Sequence, residues 1–250
     1  MQPQAHDNTS VLGRLLDEIS WEGANVRSYR DGGRGRENVL TAEVLTALDF
    51  LPRRAFLGAV LDNAHGADHA RHTLSRQIED AQVVFLPDEI VLNPDGRSRG
   101  DRLIVQPDAA ITTPTAHALI EAKKIGRSSF QPQQLAREYL AVTRQAGDRT
   151  PLLLLILGTP PPVAVTGHGR LPIHDAIAHH LPTVHTLAHH PSPVDELTAR
   201  IPDVCAWTTW HDLAHTVLTQ HAHTTNTDPS TTAAITRLVT SITHAVARHS

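Results

Sequence analysis

Six consecutive apolar residues, 152–157, stand between Pro151 and Gly158, with three prolines close behind at 160–162. A run this short and this uniform suits a β-strand whose two faces are both buried, because neither face carries the polar residues that water would require. A sheet covered by helices on both sides offers such a position. The run is also far shorter than the ~20 residues a membrane helix needs. This feature directs the chain to the α/β class, and the remaining patterns decide what surrounds the strand.

Upstream, residues 11–19 place Leu12, Leu15, Leu16 and Ile19 on one helical face. A glycine- and arginine-rich loop at 28–36 leads into a second helix over 37–51, stopped by Pro52, with Leu40, Val44, Leu48 and Leu51 as its buried stripe. Helical pattern continues over 53–80, with Gly66 as its break. Short β-rich runs follow at 83–86, 89–92, 102–112 and 117–123, and they predict an antiparallel meander. A helix over 132–145 then precedes the apolar run. Strand, strand, helix, strand makes a mixed β-sheet flanked by helices. Beyond it, a Pro-, His- and Thr-rich stretch predicts helices at 173–181, 211–221 and 231–248 and a strand at 204–209. The expected organisation is a single domain over 1–250, with a core at 37–158, a helical part at 10–36 and an α/β extension at 159–250. At this length a sizeable core forms without staples, and the lone cysteine, Cys205, excludes an intramolecular disulfide. A reducing, cytoplasmic setting without membrane contact is the corresponding expectation.

The chemistry concentrates at two strand ends. Pro107-Asp108 falls in one predicted strand, and the next ends in Glu121-Ala122-Lys123. Side chains alternate along a strand, so Glu121 and Lys123 share a face while Ala122 turns away from it. A hairpin brings Asp108 beside them. Two carboxylates and an ammonium on one face are the groups that phosphodiester hydrolysis requires: hard oxygen ligands for Mg²⁺, and a cation near the attacking water. On this reading Asp108 and Glu121 bind the metal, the Ala122 carbonyl offers a third oxygen, and Lys123 orients or deprotonates the nucleophile.

The arrangement resembles the PD-(D/E)xK nuclease superfamily, the restriction-endonuclease-like fold. That resemblance implies a glutamate on the helix before the sheet, here Glu37 with Glu43 as the second candidate, and a glutamine on the helix after the lysine strand, here Gln134. The segment 134–139 is similar to the glutamine helix of RecB-like nucleases, except that Tyr139 comes five residues after Gln134 rather than four, and Glu138 holds the usual tyrosine position. The resemblance implies a restriction-endonuclease-like core and a Mg²⁺-dependent endonuclease (Mn²⁺ as substitute) acting on DNA. It extends by analogy to restriction or anti-phage defence, with a homodimer or a larger defence complex as the assembly.

Charge bears on this reading through its distribution. The formal net charge of -4 argues against a protein that coats nucleic acid, yet 18 of the 22 Lys and Arg residues lie in 1–150, so phosphate contacts are expected there. Lys123 and Lys124 are the only lysines against 20 arginines, and lysine is the cation whose proton can be lost on desolvation. Simpler readings exist for each residue. Asp108 can form a solvated ion pair, Glu37 can complement a helix dipole, Gln134 can sit at a polar helix edge, and Arg34 and Arg36 can belong to a solvated loop. Two rivals to catalysis follow. One is an inactive nuclease-like domain that binds nucleic acid or protein. The other is an interaction module whose C-terminal helix offers Ile235, Leu238, Val239, Ile242 and Val246 to a second chain. The histidine pairs at 179–180 and 189–190, and His211 with His215, lack the HExxH glutamate and a partner cysteine, so they read as surface histidines and not as a zinc site.

Overall fold

A computed structural model describes residues 36–93, 102–126, 128–224 and 228–249. The helix expected at 11–19 and the loop with Arg34 lie outside these residues, as do the side chains of Arg36 and Glu37.

The apolar run is the strand Thr150–Leu157 (β6), at the heart of a five-stranded sheet ordered β1-β4-β5-β6-β9. The other members are Gln82–Phe85 (β1), Ala109–Thr112 (β4), Ala116–Ala122 (β5) and Cys205–Thr209 (β9). β1, β4 and β5 pair antiparallel, whereas β5, β6 and β9 run parallel, so the sheet is mixed. The helix Gln134–Ala146 (α4) makes the crossover between β5 and β6 that a parallel pair needs.

Alternation along β6 sorts its leucines into two cores. Leu152, Leu154 and Ile156 face one layer, built from Arg36–Phe50 (α1), Leu57–Asn63 (α2), Asp68–Arg76 (α3), Trp210–His223 (α8) and Pro229–His249 (α9). Leu153, Leu155 and Leu157 face the other, formed by α4 with Ile173–Ala178 (α5), Leu181–Ala188 (α6) and Val194–Val204 (α7). The stripe Leu40, Val44, Leu48 and Leu51 is buried as its spacing implied, and Gly66 takes a positive φ between α2 and α3.

Three expectations change. Residues 102–112 are not one strand: Ile104–Val105 (β3) pairs with Ile90–Val91 (β2) in a separate ribbon, and the chain bends at 106–108 before β4. Pro107 has no N–H to give a ladder, which favours an interruption there. The meander is thereby split, with β1 pairing directly to β4. The apolar face of α9 is not offered to another chain, because Ile235, Val239, Ile242 and Val246 are buried in the first core with Leu238 packed against it. Finally, α7 and the hairpin Val163–Val165 (β7) with Gly169–Leu171 (β8) escaped the pattern reading. Pro202 within α7 masks its helical signal.

Candidate active site

The ladder between β4 and β5 ends with Ala109 opposite Ile120. Continued by one residue, that register sets Asp108 opposite Glu121, and opposed residues of an antiparallel pair share a face. Two hydrogen bonds hold Asp108 there: its N–H donates to the Ile120 carbonyl at 3.0 Å, and its Oδ2 accepts from the Ala122 N–H at 2.7 Å. The Ala122 side chain is buried in the first core, so Glu121 projects into the opposite layer, as strand alternation predicted.

Glu121 is 6 % exposed and is gripped from two sides. Its Oε1 accepts from Lys123 Nζ at 2.8 Å and from Gln134 Nε2 at 2.5 Å. Gln134, the first residue of α4, also accepts from the Gln131 N–H at 3.3 Å. Lys123 is fixed along its length: its N–H donates to the Ile156 carbonyl at 2.8 Å, its own carbonyl accepts from Trp210 Nε1 at 2.8 Å, and its ammonium lies 4.9 Å from the Phe130 ring centroid. An ammonium over an aromatic face gains electrostatic attraction without losing its donors.

The fold adds a residue to this group. Glu138, one turn after Gln134, is 3 % exposed, and its Oε2 has no hydrogen-bond partner. Burial pushes its carboxyl well above the ordinary carboxylate range, and the negative charge of Glu121 adds to the shift; Lys123 and a side-chain hydrogen bond with Gln134 act against it, and Asp108 with it. Its four-residue spacing from Gln134 was the available signal. Tyr139 instead points into the second core and donates to the Leu197 carbonyl at 2.6 Å. Glu43, the second candidate for the helix glutamate, pairs with Arg248 at 2.7 Å on the surface and takes no part.

A raised carboxyl favours the folded state while it keeps its proton. That stabilisation is fully present below the ordinary carboxylate pKa and declines as pH rises toward the folded-state value. Glu138→Gln keeps the shape and removes the buried ionisation. In chelator at neutral pH it is expected to raise Tm by roughly 2–4 °C, the shift that about 1 kcal/mol gives in a chain of this size. A Tm at or below that of the wild type would show that the carboxylate is well solvated.

Among the described residues, two cavities flank the cluster. One of about 560 Å³ opens beside Lys123 and carries Lys124, Ser128, Ser129 and Arg170 on its wall. The other, about 170 Å³, is bordered by Gln106, Gln134, Arg137 and Glu138. Gly158 shapes the larger one: a Cβ there would lie 2.5 Å from the Lys124 carbonyl oxygen and 2.9 Å from the Ile125 Cα. Backbone cannot yield as a side-chain tip does, so Gly158→Ala is expected to cost about 1–3 kcal/mol in urea unfolding. An unchanged midpoint would mean that the strand end moves freely.

No protein-family model, curated protein or solved structure matches this chain. What the coordinates establish is an α/β protein with a mixed five-stranded sheet flanked by helices. Among the described residues, no helix is long and apolar enough to cross a membrane.

Proposed function

We propose that this protein is a metal-dependent nuclease of the PD-(D/E)xK type that hydrolyses phosphodiester bonds of DNA. The observation that carries the reading is the convergence of Asp108, Glu121, Lys123 and Gln134 at the end of the β4–β5 hairpin, with Glu138 beneath them. The element order supports it: a helix, antiparallel strands, a glutamine helix and a parallel buried strand follow one another as the resemblance implies.

The donor set fits Mg²⁺. Its side-chain oxygens are hard ligands, Glu138 Oε2 is a buried acceptor without a donor, and the adjoining cavity of about 170 Å³ has room for an ion with water. Asp108 and Glu121 would hold the ion, with the Ala122 carbonyl as a third oxygen; Glu37 belongs to the same proposal by its place on the first turn of α1. When bound, Mg²⁺ supplies Lewis acidity and an acidified water. The chain's own residues do the rest. Gln134 and Lys123 orient the Glu121 carboxylate, and the Asp108 bond to Ala122 keeps the two strand ends together. The Lys123 ammonium would offset charge developing on the phosphoryl oxygens and can pass a proton to or from water. Lys124 and Arg170 in the larger cavity suit the phosphate backbone.

Cutting both strands of a duplex needs two such centres, so we extend the proposal to a homodimer or a larger defence complex, in a cytoplasmic protein of restriction or anti-phage function. The test is incubation of supercoiled plasmid, linear duplex, single-stranded DNA and RNA with the full chain in Mg²⁺, Mn²⁺ or EDTA. Nicking or linearisation confined to the Mg²⁺ and Mn²⁺ arms is expected. Intact nucleic acid in every arm, with the protein folded, would leave the inactive binding module as the reading.

A further inference from the structure

At the tip of the hairpin that lines the larger cavity, the fold brings His168 to the adjacent pair His179 and His180. His168 sits at the β7–β8 turn between Gly167 and Gly169, both at positive φ, while His179 and His180 occupy the junction of α5 and α6. One ring nitrogen from each lies within 4.8 Å of the other two. The ring centroids are 4.7 to 4.9 Å apart, with interplanar angles of 64°, 85° and 88°. Rings set so steeply to one another do not stack, and their edge nitrogens can be directed toward a common point.

We propose that His168, His179 and His180 form a binding site for a late transition-metal ion, Zn²⁺ foremost, that is separate from the carboxylate cluster.

Three observations support it. Imidazole nitrogen is a preferred ligand of Zn²⁺ and a poor one for Mg²⁺, so this site and the oxygen-rich one select different ions. His180 Nε2 is buried and has no hydrogen-bond partner, an expense that a coordinate bond would remove. Metal–nitrogen bonds of about 2.0–2.1 Å in a tetrahedron put ligand nitrogens about 3.3–3.4 Å apart, so closing the cluster needs a contraction of about 1.5 Å or less, within reach of side-chain rotation. His168 and His179 are exposed, which leaves the fourth position to water.

The place of the cluster gives the ion a structural task. It would tie the β7–β8 turn to the α5–α6 junction. The same hairpin holds the segment before α4, since the Phe130 N–H donates to the Ala164 carbonyl at 2.9 Å and the Thr166 N–H donates to the Phe130 carbonyl at 2.9 Å. Phe130 in turn lies against Lys123. Val163, Ala164 and Arg170 of the hairpin line the cavity of about 560 Å³. A metal bound here would therefore steady one wall of that cavity, whatever reaction the carboxylate cluster performs.

The experiment is equilibrium dialysis of the full chain against Zn²⁺ at neutral pH, with metal counted per chain, and a parallel titration with Co²⁺ read in the visible spectrum. One Zn²⁺ per chain and an intense tetrahedral Co²⁺ spectrum are expected. Loss of an outer partner alone weakens a site about 10–100-fold, so His168→Ala and His180→Ala are each expected to weaken binding by at least about 100-fold. His168→Gln, conservative in size, checks that the loss is not a folding defect, with far-ultraviolet circular dichroism on every variant. Asp108→Asn with Glu121→Gln is expected to leave Zn²⁺ binding unchanged. Wild-type affinity in folded His168→Ala and His180→Ala, loss of Zn²⁺ only in the Asp108→Asn and Glu121→Gln protein, or no stoichiometric binding by the wild type would each overturn the site.

Discussion

Lys123→Ala is expected to lower the rate of Mg²⁺-dependent nicking by about 10²- to 10⁴-fold while the protein remains folded. The ammonium is the group of the cluster that can both stabilise developing negative charge and move a proton, and Glu121 and Phe130 hold it in one place. Removing it takes one donor from the buried Glu121, and Gln134 still donates to that carboxylate, so the fold keeps part of the compensation. Asp108→Asn should cause a loss of similar size through the proposed metal site. Lys124→Ala is the contrast: Lys124 borders the larger cavity, so its loss should weaken DNA binding uniformly across sequences and reduce the salt slope by about one, with much less effect on the bound rate. If Lys123→Ala cuts as fast as the wild type, the ammonium has no part in the chemistry and the proposed centre fails.

The second large effect is on stability. Trp210→Ala is expected to lower the unfolding free energy by about 3–5 kcal/mol, read as a shift of the urea midpoint at constant slope. Trp210 is 1 % exposed at the start of α8, beside β9, and its indole N–H satisfies the Lys123 carbonyl. Trp210→Phe separates the two contributions. It retains most of the ring volume and leaves the carbonyl without that donor, for about 1–3 kcal/mol. Because that carbonyl belongs to the lysine of the cluster, Trp210→Phe should also lower nicking more than its stability loss explains. Equal midpoints for Trp210→Phe and the wild type would show that water replaces the indole.

Much of the site was legible because strand alternation is local. Glu121 and Lys123 had to share a face once residues 117–123 were recognised as a strand, and the β4–β5 hairpin had few ways to return. Gln134 came from the resemblance, and the structure sets it as the first residue of α4. Asp108 departs from the sequence expectation: it lies at a bend after Pro107, not inside a strand, and a side-chain bond to Ala122 positions it. Glu138 is a helical neighbour of Gln134 in the sequence, but nothing local says that its Oε2 is buried without a hydrogen-bond partner. Glu43 lost its candidacy to Arg248, a residue at the far end of the chain. The apolar stripe of α9 was read correctly as a stripe, and its occupant, α1 and the first core, is a tertiary matter.

The division follows the range of the forces involved. Periodicity, proline and glycine act over a few residues, so the sequence alone determined the α/β class, the doubly buried β6, the extent of α1, α4, α8 and β5, and the shared face of Glu121 and Lys123. Burial of a charge, closure of a cavity and the meeting of side chains distant in the chain depend on how elements pack. Those decided the buried Glu138 Oε2 without a hydrogen-bond partner, the Trp210 contact to Lys123, and the gathering of His168 with His179 and His180.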